Sequence, residues 1–155
     1  MVARSAADSL RVWARGSYAD EAAVELLARA FDGRFAVEGV PWVRPTGRPG
    51  CSYLDPDAID TYSGGLSGAE RRVLAVVAAL TGDRPLHDLS GILVGVDRPN
   101  LGLILAALAH AGGSHQQADL ILTPENRVEF VELPALIDWA APRASIPSHG
   151  MRAAS

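Results

Sequence analysis

The densest apolar periodicity in the chain lies between residues 66 and 113. Val73, Leu74, Val76, Val77 and Leu80 recur at the spacing of a broad buried helix face. Ser67 stands just before them with Glu70 three residues on, the pattern in which a cap hydroxyl and a first-turn carboxylate satisfy each other's backbone N–H groups. This predicts a helix from Ser67 to about Leu80, ended by Gly82 in a left-handed conformation and kept from continuing by Pro85. A shorter helix is predicted over residues 86–94, with Leu86, Leu89, Ile92 and Leu93 inward and Gly95 as its end. Asp97 then caps a third helix, whose first turn tolerates Pro99 because that position needs no N–H. Leu101, Leu103, Ile104, Leu105 and Leu108 make this helix apolar on nearly every side until Gly112 and Gly113 stop it. Such a helix is buried in its own core or in a partner.

Upstream, residues 1–16 predict a short helix anchored by Leu10, Val12 and Trp13. Ser17 caps a stronger one, with Asp20 and Glu21 in the first turn, where the helix dipole favours negative charge. Ala23, Val24, Leu27, Ala30 and Phe31 form its apolar stripe, Gly33 its end, and Asp20, Glu21, Glu25 and Arg29 a solvated face. Between Arg34 and Ser63 the periodicity breaks down. Phe35-Ala36-Val37 predicts a short strand, and residues 41–50 a turn-rich loop carrying Trp42, Arg44 and Arg48. Asp55 followed by Pro56 starts a short helix that ends near Tyr62.

Downstream, residues 118–122 and 127–133 alternate or run apolar as strands, with Thr123-Pro124-Glu125-Asn126 as the turn between them. Residues 134–140 predict a last helix packing back through Leu136, Ile137 and Trp139, and the chain from Pro142 onward reads as a loose tail. The fold class that follows is mainly α (α+β). Its expected parts are a helical extension over 1–65, a domain over 66–141 and the tail 142–155. The order of three helices and a hairpin from Leu66 to Leu133 resembles a winged-helix domain, a helix-turn-helix with a wing, at the level of topology. That resemblance implies a third helix and a wing that often meet DNA. The residues here argue for a protein instead. Between Leu101 and Gly113, His110 is the one side chain suited to reading a base edge. The wing sets Glu125, Glu129 and Glu132 against Arg127, and phosphate would repel it. Protein-binding winged helices are a recognised variant of that superfamily.

Composition sharpens the picture. The net charge is −4, which gives no bulk attraction for nucleic acid or an anionic membrane. The 14 basic residues are all Arg, and together with abundant Ala and Gly this points to a high-GC bacterium. The single cysteine, Cys51, excludes an internal disulfide framework and fits a reducing, cytoplasmic setting. Residues 1–16 contain no apolar core of signal-peptide length, and the apolar part of the longest uncharged run, residues 99–118, is too short to cross a membrane. Leu66-Ser67-Gly68-Ala69-Glu70-Arg71-Arg72 resembles the signature motif of ABC-type ATPases, yet the chain lacks the lysine their phosphate loop requires.

His110 and His115 flank the Gly112-Gly113 break with Asp119 beyond, but their spacing matches no helix-borne ligand pair, and no metal or cofactor is assigned. Cys51 has only Arg48 near it to lower its pKa, and no catalytic residue is assigned either. The leading expectation is a non-enzymatic interaction module: an adaptor, inhibitor or assembly subunit. It would use the apolar third helix, with Leu101 and Leu105 in contact with a protein partner or a second copy in a homodimer. Trp42, Arg44 and Arg48 are further contact candidates, since Trp and Arg anchor interfaces. One alternative is a DNA-associated transcriptional regulator that uses Arg44, Arg48, Arg71 and Arg72. Another is an enzyme with its site near Cys51 and the Trp42 loop.

Overall fold

Side-chain oxygens set where the helices begin. In the computed structural model, which describes residues 5–82 and 84–139, Ser5, Ser17, Asp55, Ser67, Asp88 and Asp97 each accept an N–H from the first turn that follows. The helices are α1 (Ala6–Ala14), α2 (Tyr18–Arg29), α3 (Pro56–Tyr62), α4 (Gly68–Thr81), α5 (Leu89–Val94) and α6 (Arg98–Ala111). Ser67 and Glu70 form the reciprocal capping pair read from their spacing. Strands β1 (Val43–Pro45) and β2 (Ser52–Leu54) make one antiparallel hairpin, and β3 (Ala118–Leu122) and β4 (Val128–Glu132) make another. The architecture is mainly α with two small antiparallel hairpins.

Helix α2 is the centre of the core. It packs along both α4 and α6 and also meets α1. Its Ala22, Ala23, Val24, Leu26 and Leu27 face Leu10 of α1, the Val73–Ala78 side of α4, and Ile104 and Ala107 of α6 in one continuous cluster. The cluster runs across residues on both sides of Gly65 and Leu66. Small side chains on α2 and α6 (Ala22, Ala23, Ala106 and Ala107) are buried, and they let two helix backbones approach closely.

The polar side of α2 is tied to α1. Glu25 accepts from Arg11 Nε at 2.6 Å and from Arg29 Nε at 3.0 Å, while Arg11 also meets Asp8 at 3.0 Å. Partial burial pushes the Glu25 carboxyl up, but the hydrogen bonds and charges of Arg11 and Arg29 outweigh it and hold the group below its ordinary range. A lowered carboxyl contributes stability that is present above its unfolded value, about pH 4.3, and is lost as the pH falls through the lowered folded value. Glu25→Gln is therefore expected to lose about 1 kcal/mol at pH 7, in urea titrations. The gap from the parent should shrink as the pH falls below about 4.3, and a gap that did not shrink on acidification would rule out this ion pairing as its source.

Four local expectations give way to tertiary or side-chain competition. Phe35-Ala36-Val37 is a turn, not a strand: the Phe35 carbonyl accepts from the Trp42 indole at 3.0 Å, and Ala36 N donates to Gly33 O at 2.9 Å. Helix α5 begins at Leu89, not Leu86, because Asp88 adopts a left-handed conformation (φ 55°) and caps Gly91. Leu89 then lies 48% exposed while Ile92 is buried. Gly82 ends α4 without a left-handed turn (φ −148°, ψ 69°), and Thr81 bonds back to Val77 O at 3.1 Å. Residues 134–139 are not helical, since Leu136 N is drawn to the Ser114 hydroxyl at 3.4 Å. Ala140 and the tail expected from Pro142 lie outside the described residues.

Candidate functional site

The two-residue break after α6 decides what lies beside what. Gly112 N donates to Leu108 O and Gly113 N to His110 O at 2.8 Å, closing the helix. Gly113 has φ +74°, a left-handed turn that suits glycine, and a Cβ there would stand 3.3 Å from the Tyr18 ring. The chain reverses into a single 3-10 turn, Ser114–Gln116. This lays the His115 ring on His110, with centroids 3.9 Å apart and planes 9° from parallel. His110 Nε2 lies 3.0 Å from Glu21 Oε2 in the first turns of α2. Glu21 Oε1 in turn accepts the Gly16 N–H at 3.0 Å. Tyr18 stands edge-on to both imidazoles, and Trp139 leans against His110 at 6.1 Å. Burial pushes the Glu21 carboxyl up, but the Gly16 N–H and the two histidines outweigh it and leave the group lowered. The Nδ1 of His115 is buried with no hydrogen-bond partner among the described residues.

Sequence spacing paired these histidines with Asp119. The structure does not: Asp119 Oδ1 accepts from its neighbour Leu120 N at 2.8 Å, and the carboxylate beside the histidines comes from α2. The spacing on α2 places Glu21 on a solvated face, and nothing local to residue 21 signals residue 110.

From this junction β3 and β4 project as an arm. Their register pairs Leu120 with Phe130 and Leu122 with Val128, so these four side chains share one face. They are 56%, 82%, 66% and 66% exposed, respectively. The opposite face alternates Ile121 and Val131 with Asp119 and Glu129. Every residue of both strands is exposed, and neither strand packs broadly on another element. A second apolar surface lies on α6. Asn100, Ile104, Ala106 and Ala107 face inward, while Leu105 and Leu108 are exposed and Leu101 is half-buried on the outer side. Positions 101, 105 and 108 have the one-face spacing of a helix. Val94 at the end of α5 is 87% exposed.

The other sequence candidates are dispersed. Trp42 is 3% exposed and tilted against Phe35, so it belongs to the core and not to a contact surface. Arg44 is exposed on β1 and paired with Asp55 at 3.4 Å. Arg48 is exposed in the β1–β2 connection, and Cys51 is half-buried beside it in sequence. Arg71 and Arg72 line a shallow cleft of about 280 Å³ with His87 and Asp88, where Arg72 Nε donates to Gly91 O at 3.1 Å and ties α4 to α5. Arg84 pairs with Asp57 and Asp60. No described helix is long and apolar enough to cross a membrane.

Comparison with protein families, with curated proteins and with solved structures returned no match.

Proposed function

We propose that the chain is a non-enzymatic interaction module that works by self-association, burying the arm and the outer stripe of α6 against a second copy. The observation that carries this reading is the arm's apolar face, four large side chains together on a hairpin that the described body leaves uncovered. The largest apolar patch on a monomer is typically about 300–600 Å² and is often functional. A two-stranded hairpin alone is marginal in water, so covering one face stabilises the arm as well as the complex.

A second copy is favoured over an unrelated partner because the chain carries two unpartnered apolar surfaces. A stable interface needs about 800 Å² from each partner. The four apolar side chains of the arm are few for that, and the Leu101, Leu105 and Leu108 stripe adds a second apolar surface. In a symmetric pair each copy gives its arm and receives the other's, and the assembly closes. Of the arm's acids, Asp119 and Glu129 lie on the opposite face, Glu125 is in the turn, and Glu132 shares the apolar face at its root, beside Ala118, where it would lie at a solvated rim. The same charge weakens the DNA-regulator reading.

Sedimentation velocity of the full chain from one to several hundred micromolar tests this, with Phe130→Glu alongside. The expected result is a dimer that Phe130→Glu converts to a monomer with an unchanged circular dichroism spectrum, since that side chain is 82% exposed. A wild-type chain that remains monomeric over the whole range overturns self-association.

A further inference from the structure

We infer that Glu21, His110 and His115 form a binding site for a divalent first-row transition ion, zinc being the best fit, which would fasten α2 to the root of the arm. The donor set is two imidazole nitrogens and one carboxylate oxygen, a combination that suits zinc and leaves a fourth position for water or another side chain. The ligand atoms already lie within 4.8 Å of one another. In a tetrahedral site with bonds of about 2.0–2.1 Å, neighbouring ligand atoms stand roughly 3.3 Å apart. The contraction needed is about the size of a side-chain adjustment.

Three features point toward an ion. The first is His115 Nδ1, buried without a partner among the described residues, since a polar nitrogen out of water calls for one. The second is Glu21, one oxygen of which is fixed by the Gly16 N–H while the other is turned to His110. That is how a metal-ligating carboxylate is oriented from behind. The third is the wall of Tyr18 and Trp139 around the imidazoles, which limits water and strengthens coordination. Access remains, because the His110 and Glu21 side chains are 19% and 29% exposed.

An ion lies in the plane of each imidazole that binds it, so the parallel stack cannot ligate as it stands. His115 has to tilt away from His110. It sits on a short turn behind two glycines, whereas His110 and Glu21 sit on packed helices, so the turn is the part that moves.

The chain has four histidines. Changing the two outside the cluster, His87→Gln and His149→Gln, leaves His110 and His115 as the only imidazoles. Zinc titrated into that full-length background by calorimetry is expected to bind one ion per chain with micromolar or tighter affinity. His115→Ala, His110→Ala or Glu21→Gln should each weaken it roughly ten- to a hundredfold or more. X-ray absorption at the zinc edge of the background protein should show imidazole scattering, a readout that needs no further substitution and so survives a variant that fails to fold. Absence of one-to-one binding, bound zinc without imidazole scattering, or an unchanged affinity in a folded His115→Ala variant each overturns the inference. None of these readouts depends on the oligomeric state.

Discussion

Trp42→Ala is expected to remove about 3–5 kcal/mol of folding stability, a large share of the roughly 5–15 kcal/mol that a domain possesses. The indole is 3% exposed, packs at a tilt against Phe35 with centroids 5.8 Å apart and lies in the same cluster as Leu54 and Ile59. Removing it empties the space under the β1–β2 hairpin. It also strands the Phe35 carbonyl, which accepts the indole N–H at 3.0 Å. Trp42→Phe separates the two losses. It keeps an aromatic ring but leaves that carbonyl unpaired, and it should cost about 1–3 kcal/mol. Urea unfolding followed by circular dichroism measures both. If Trp42→Ala were within about 0.5 kcal/mol of the parent, as surface substitutions are, Trp42 would be a surface residue and free to meet a partner.

The second large effect separates the two sides of α6. Ile104→Asp is expected to abolish folding or to cost more than about 4 kcal/mol, because it places a carboxylate in the seam against α2. Ile104 is 1% exposed there. Leu105→Asp, one residue on, should cost about 1 kcal/mol or less, chiefly through the weaker helix propensity of aspartate. Leu105 is 42% exposed. Its effect should appear in association instead, as a tenfold or greater rise in the dimer dissociation constant, equivalent to about 1.4 kcal/mol or more. Thermal unfolding and sedimentation of the two variants side by side read both quantities. Equal unfolding of the two would mean that the outer stripe is core as well, leaving only the arm to carry self-association.

This contrast also shows what the sequence could and could not disclose. Caps are local chemistry, so Ser17, Asp55, Ser67 and Asp97 announced their helices, and the turn at residues 123–126 announced the β3–β4 hairpin. A helix apolar on all sides says that it is buried in something. It does not say which flank faces its own core, and Ile104 and Leu105 are alike in type. The β1–β2 hairpin went unread because three-residue strands are too short to show alternation, and Pro45 and the surrounding glycines read as loop. Phe35 looked like a strand residue because a carbonyl's commitment to an indole seven positions away leaves no mark on composition. Val128, Phe130 and Val131 among glutamates read as a strand, but alternation alone does not say what covers it, and both faces of the arm are open. The Glu21, His110 and His115 group was hidden for a different reason. Its two halves are 89 residues apart, and only the packing of α2 on α6 brings them together.

The alanines between α2 and α6 bear on how such a chain can change over generations. Where buried alanines lie among larger side chains in a packed core, a bigger residue forces the neighbours to shift, so that seam tolerates little variation. The turn at the end of the arm, Thr123-Pro124-Glu125-Asn126, is exposed from Pro124 to Asn126. Lengthening or rewriting it costs the body nothing. A lineage could therefore revise what it associates with through the arm while holding its interior constant, and descendants would diverge fastest at the arm and slowest along the seam.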